Sequence, residues 1–150
     1  MFNKLLKIRR RKQLKLYVDT IKQKKEKYLL EEFMVDKKGN DVYFIVTCDK
    51  ESGLGIVDIF TDTKNLEKVI FIITEEKLYI SDIQIFKNKN KGIGSKVISI
   101  LERIAIDNEI YLIEGELDSE DEEHRKRQVH FYSKNGFTIN DNLLEKIIKY

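Results

Sequence analysis

The sequence predicts a mixed α/β domain: a mostly antiparallel sheet flanked by helices, entered through a basic helical extension. Three observations predict it. From residue 28 onward, five runs rich in β-branched and aromatic residues follow one another with only short turns between them. At Gly92 the apolar spacing changes to a helical period. The charge is also divided. Residues 1–27 carry eleven basic and two acidic residues, a net +9, which leaves −7 for residues 28–150 of a chain whose total is +2. The chain therefore reads as an extension, 1–27, and one domain, 28–150.

Taken in order, Leu14, Tyr17, Val18 and Ile21 recur at i, i+3, i+4 and i+7, one face of a helix. Phe2, Leu5 and Leu6 form a smaller apolar group ahead of the Arg9–Lys12 run. The bases of this helix either face water while it docks on the body, or contact nucleic acid, anionic lipid or an acidic partner. Tyr28–Val35 and Val42–Asp49 flank a turn holding Gly39 and Asn40, which reads as a hairpin. Leu54–Phe60, Val69–Thr74 and Leu78–Phe86 extend it into a five-stranded antiparallel meander. Ile93, Val97, Ile100, Leu101, Ile104 and Ala105 then mark an amphipathic helix of about 15 residues. Tyr111–Glu116 reads as a strand. Ser119 with Glu122 resembles a capping box for a second helix that stops at Asn135-Gly136. Phe137–Ile139 and Leu143–Tyr150 read as final short strands.

Composition narrows the class. At 41% hydrophobic residues, 150 residues suffice for one core, and the absence of Pro and a single Cys exclude collagen-like, proline-rich and disulfide-stapled chains. No apolar run approaches the ~18 residues of a membrane span, so no transmembrane segment is expected. Met1–Lys12 lacks the features of a secretory signal, and the lone Cys48 suits a reducing compartment, so the expected location is cytoplasmic. Cys48 lies in an apolar run and reads as a core residue. His124 and His130 lack the spacing of a zinc pair, so no metal site is expected.

The chemistry-bearing segment is Ile80–Ser95, ISDIQIFKNKNKGIGS. A strand ends, a basic loop follows, and Gly92-Ile-Gly94 opens a helix. Free amides at a helix start and the helix dipole favour an anion, glycines admit close approach, and Lys87, Lys89 and Lys91 add full charge. A diphosphate fits that chemistry. The spacing is neither a P-loop nor a dinucleotide fingerprint.

In context this segment resembles the GCN5-related N-acetyltransferase (GNAT) superfamily. Lys89-Asn-Lys-Gly92-Ile-Gly94 is similar to the family's Arg/Gln-x-x-Gly-x-Gly/Ala loop, with Lys in first position. Phe131-Tyr132-Ser-Lys-Asn-Gly136-Phe137 is similar to its Phe-Tyr-x-x-x-Gly-Phe segment, in the family's order. The resemblance covers residues 67–139 and implies a GNAT-like fold that binds acetyl-CoA as acetyl donor. It implies that amides of Lys89, Asn90, Lys91, Gly92, Ile93, Gly94 and Ser95 hold the pyrophosphate. It implies that Ile83, Gln84 and Ile85 pair main chain with the pantetheine arm, an amide near Ile85 polarising the thioester carbonyl, and that Tyr132 protonates the departing thiolate. Where many members place a glutamate base on the strand before the loop, this chain has Ser81 with Asp82 beside it, which leaves Asp82 or a water relay as the base. Arg125 and Gln128 stand where members often carry Asn and Ala. The strand-rich stretch 28–74 leaves little room for the two helices that usually wall the acceptor site. The implied activity is acetyl transfer to a primary amine by direct attack. The alternative is a non-catalytic CoA-binding module, or one docking on nucleic acid or another macromolecule through residues 1–27. Exposed edge strands permit a homodimer.

Overall fold

The computed structural model describes residues 1–24, 29–61, 66–84 and 92–149. The elements run α1 (Phe2–Lys24), β1 (Leu30–Val35), β2 (Asp41–Cys48), β3 (Leu54–Phe60), β4 (Leu66–Ile73), β5 (Leu78–Gln84), α2 (Ile93–Asp107), β6 (Leu112–Glu116), α3 (Glu122–Lys134), β7 (Thr138–Asn140) and β8 (Leu143–Ile147). Among the described residues the strands make one sheet in the order β1-β2-β3-β4-β5-β6-β8-β7. Every neighbouring pair is antiparallel except β5 with β6. This is the mixed, mostly antiparallel sheet that the residue pattern predicts, with β1 to β5 as the meander.

Alternate strand residues point to opposite faces, and the sequence sorts them. Val42, Phe44 and Val46 of β2, with their register partners Ile59 and Val57 of β3, lie on one face. They join Ile93, Val97, Leu101 and Ile104 of α2 in the main core. Gly55 on this face leaves room for the Phe71 ring opposite it, which would lie 2.0 Å from an added Cβ. Ile45 and Phe60 point the other way, and Leu14 and Val18 of α1 cover them. Tyr17 meets Phe60 edge-on at 6.0 Å, and Lys22 reaches Glu31 of β1 at 2.7 Å. The extension is therefore a helix docked through the face its spacing marks. The Arg11 guanidinium also donates to the Gly39 carbonyl at 3.1 Å and pairs with Asp41 at 3.4 Å, which ties α1 to the β1–β2 turn.

Several boundaries move. The N-cap of α3 is Asp121, whose carboxylate accepts the His124 amide at 2.8 Å, in place of the expected Ser119. Leu117 N–H already donates to the Asn142 carbonyl and Gln128 holds the Asp118 carbonyl, so the chain stays extended past Ser119. Phe137 is a buried core residue ahead of β7, not part of it. Gly136 ends α3 at φ 86°, as expected. Among the described residues no helix is long and apolar enough to cross a membrane.

Candidate anion site at the start of α2

The site is built where β5 ends and α2 begins. In β5 the register with β4 passes from Phe71 opposite Ile80 to Ile70 opposite Asp82, so Ser81 is an extra residue in a bulge. A bulge bends its strand and sharpens its twist. The parallel pairing with β6 covers only Leu78, Tyr79 and Ile80 against Ile113, Glu114 and Gly115. β6, in contrast, stays paired with β8 over its whole length. Past Ile80, then, β5 continues along β4 while its other edge has no partner strand among the described residues. Asp82, Ile83 and Gln84 lie in that segment; Ile85, Lys89, Asn90 and Lys91 fall outside the described residues.

The far side of the loop is better defined. Gly92 is the N-cap of α2 at φ 85°, a left-handed conformation that an L side chain adopts only with strain. A glycine cap has no side chain to satisfy the first-turn amides. The first bond within the helix runs from Lys96 N–H to the Gly92 carbonyl at 3.1 Å, and the amides of Ile93, Gly94 and Ser95 precede it. No acidic residue stands in this first turn. α3 is the opposite case, with Asp121 capping and Glu122 and Glu123 in its first turn. One helix answers its own dipole with carboxylates; the other carries none in its first turn, where the dipole would favour an anion.

Gly94 has a packing reason for being glycine that its spacing does not show. A Cβ there would lie 2.7 Å from Phe131 Cε2, so the missing side chain admits an aromatic ring of α3. That contact brings the two separated sequence segments together, since Phe131 and Tyr132 are adjacent. Tyr132 is 7% exposed, with its ring edge-on to Phe131 at 5.0 Å and to Phe137 at 5.3 Å. Phe131 is partly buried and packs against the core.

Met34 and Lys37 lie beside Gly92 with no sequence signal to mark them, whereas Arg125 and Gln128 of α3 stand out already in the sequence. Met34 and Lys37, at the end of β1 and in its turn, lie 3.8 and 4.0 Å from the position of a Gly92 Cβ. Nothing local links residues 34–37 to residue 92; only the wrapping of β1 onto α2, held by Glu32 with Arg103 at 2.7 Å and Lys96 at 3.5 Å, does so. Arg125 clamps the β7–β8 turn, donating to Asn142 Oδ1 at 2.5 Å and the Asp141 carbonyl at 2.8 Å. Gln128 donates to the Asp118 carbonyl at 3.1 Å, while its Oε1 is buried with no hydrogen-bond partner among the described residues. It stands one helical turn before Tyr132, on the same side of α3.

Cys48 is partly buried against the core, and burial with the nearby Asp49 charge pushes its thiol up, away from nucleophilic character. His130 is exposed, and His124 accepts the Glu120 amide through Nδ1 at 3.3 Å. Among the described residues no cluster of His, Cys, Asp and Glu has the makings of a metal site.

The chain, whose bulged β5 parts from β6 beside the glycine-capped start of α2, has the GNAT fold. Solved structures agree with the assignment. The GNAT domain of S. lividans PAT superposes with a TM-score of 0.63 at 9% identity, covering 79% of this chain and 97% of that one. Nourseothricin acetyltransferase gives 0.56 at 13% identity, with 80% and 84% covered. A GNAT family acetyltransferase from Elizabethkingia anophelis with acetyl-CoA bound gives 0.54 at 14% identity, with 64% and 77% covered. No family model matches the chain, and no curated protein matches it in sequence.

Proposed function

We propose that the protein is an N-acetyltransferase that moves the acetyl group of acetyl-CoA to a primary amine. The observation that carries this reading is the contact of Gly94 with Phe131, which joins the glycine-capped start of α2 to the Phe131-Tyr132 pair of α3. The GNAT fold and the acetyl-CoA seen in one protein that shares it support the choice of ligand.

Bound acetyl-CoA would supply a thioester carbonyl to which the acceptor nitrogen adds, the C–N bond forming as the C–S bond breaks. The amides of Ile93, Gly94 and Ser95, with those of Lys89–Gly92, hold the diphosphate, and Lys37 adds a cation from the β1–β2 turn. The open edge of β5 at Ile83 and Gln84 takes the pantetheine amides, and the Gln128 Oε1 accepts one further N–H. A backbone amide near Ile85 polarises the carbonyl. Asp82, or a water relay, takes the proton that the amine loses. Tyr132 gives its phenol proton to the thiolate. Most of the rate comes from orientation and carbonyl polarisation.

The burial of Tyr132 favours a second reading, in which its ring is a core element and the domain binds CoA without turning it over. One set of measurements separates the two. A melting scan with acetyl-CoA, CoA and ATP should give selective stabilisation by the CoA species, about 2.7 kcal/mol at a hundred times Kd. Tyr132→Phe should keep that stabilisation and lose most acetyl transfer to an amine panel. Stabilisation without transfer by the native chain identifies the binding module. No CoA-specific shift removes both readings.

A further inference from the structure

We propose that the first half of α1 is a docking element for an anionic lipid surface. The helix carries two apolar faces, one in each half, on roughly opposite sides of its axis. In the second half, Leu14 and Val18 are buried on the sheet. In the first half, Phe2, Leu5, Leu6 and Ile8 are centred on a direction roughly 170° away at 3.6 residues per turn, with Leu6 and Ile8 at its flanks. All four are exposed, Phe2 to 75% and Leu5 to 63%. The helix cannot bury both faces on its own domain, because docking one turns the other outward.

The charge chooses the occupant. Seven bases and no acid lie between residues 1 and 18. Two of these bases face the domain: Arg11 is bound to Gly39 and Asp41, and the Lys7 Nζ sits over Gly39. Lys4, Arg9, Arg10 and Lys12 are exposed around the outward apolar group. A second copy laid on this face would bring Arg9 and Lys12 against their own kind. A nucleic-acid backbone would take the bases but leave Phe2 and Leu5 in water. An anionic bilayer uses both, with apolar side chains entering the acyl boundary and guanidinium groups at the phosphates. The stems of Arg9 and Lys12 can lie along the apolar group with their charges in the headgroups. One such helix gives weak, reversible and salt-sensitive attachment.

The full chain is tested by sedimentation with vesicles of phosphatidylcholine, alone or with one third phosphatidylglycerol. Binding is expected only to the anionic vesicles and should fall as salt rises. Phe2→Asp with Leu5→Asp should weaken it about tenfold or more, while the melting temperature and its response to acetyl-CoA stay at the native values. Arg9→Gln with Arg10→Gln should reduce it while keeping the apolar group. Failure to bind anionic vesicles overturns the proposal, as does native-like binding by the Phe2, Leu5 variant. Release from vesicles by a DNA duplex at equal phosphate concentration, with Phe2→Asp binding that DNA normally, would reassign the surface to nucleic acid.

Discussion

At the scale of single residues, the two glycines at the start of α2 look alike in sequence and differ in cause. Gly92 is held at positive φ, and Gly94 is held by a neighbour 37 positions further along the chain. The local pattern identified both positions, yet only the fold could supply the Phe131 ring. Gly94→Ala tests the distinction. The new Cβ would lie 2.7 Å from Cε2 and 2.9 Å from Cζ of Phe131, so the ring or one of the two helices must shift. Overpacking of this kind costs roughly 1–3 kcal/mol. In a domain of this size each kcal/mol lowers Tm by roughly 2–4 °C. In a Phe131→Ala background most of that cost should vanish, because neighbours that clash are not additive. An equal cost in both backgrounds would show that the ring is not what Gly94 makes room for.

At the scale of elements, periodicity carried the argument well. The helical face Leu14–Ile21, the hairpin around Gly39 and the helix from Ile93 are all legible because each depends on neighbours a turn away. The cap of α3 is not. Ser119 and Asp121 both stand ahead of acidic residues, and bonds from Leu117 and Gln128 to distant or later backbone decide between them. Docking of α1 has a direct test. Val18 is 1% exposed among Leu14, Ile45 and Phe60. A carboxylate there would lose its water with no partner charge in the cluster, a penalty of several kcal/mol. Val18→Asp should therefore lift α1 from the sheet and leave the main core, which lies on the other face, folded. Limited trypsin digestion should then cut at Arg9–Lys12 about tenfold faster or more, since the cleavage-competent population follows the opening equilibrium. A digestion rate equal to that of the native chain would mean that Leu14 and Val18 do not hold the helix.

At the scale of the whole molecule, the sequence exposes the two halves of the site but not the frame between them. The basic loop and the Phe131-Tyr132 pair are visible as segments. The bulge at Ser81 and the early end of the β5–β6 pairing arise from pairing between strands far apart in the chain, which no local pattern encodes. The same holds for the path from α1 to the site. Arg11 grips the Gly39 carbonyl and Asp41, and the turn so held carries Lys37, which lies with Met34 against Gly92. Arg11 thus holds the far end of the turn, away from Gly92. Loosening it should reach the cradle through Lys37 and Met34. Arg11→Gln is accordingly expected to weaken acetyl-CoA binding roughly threefold, in the range of mutations that act at a distance. Lys12→Gln removes the same charge one position along, at an exposed site. It should leave the affinity unchanged. Titration calorimetry on both variants reads the difference. Equal losses would assign the effect to long-range charge, and no loss in either would mean that the turn and the cradle are mechanically independent.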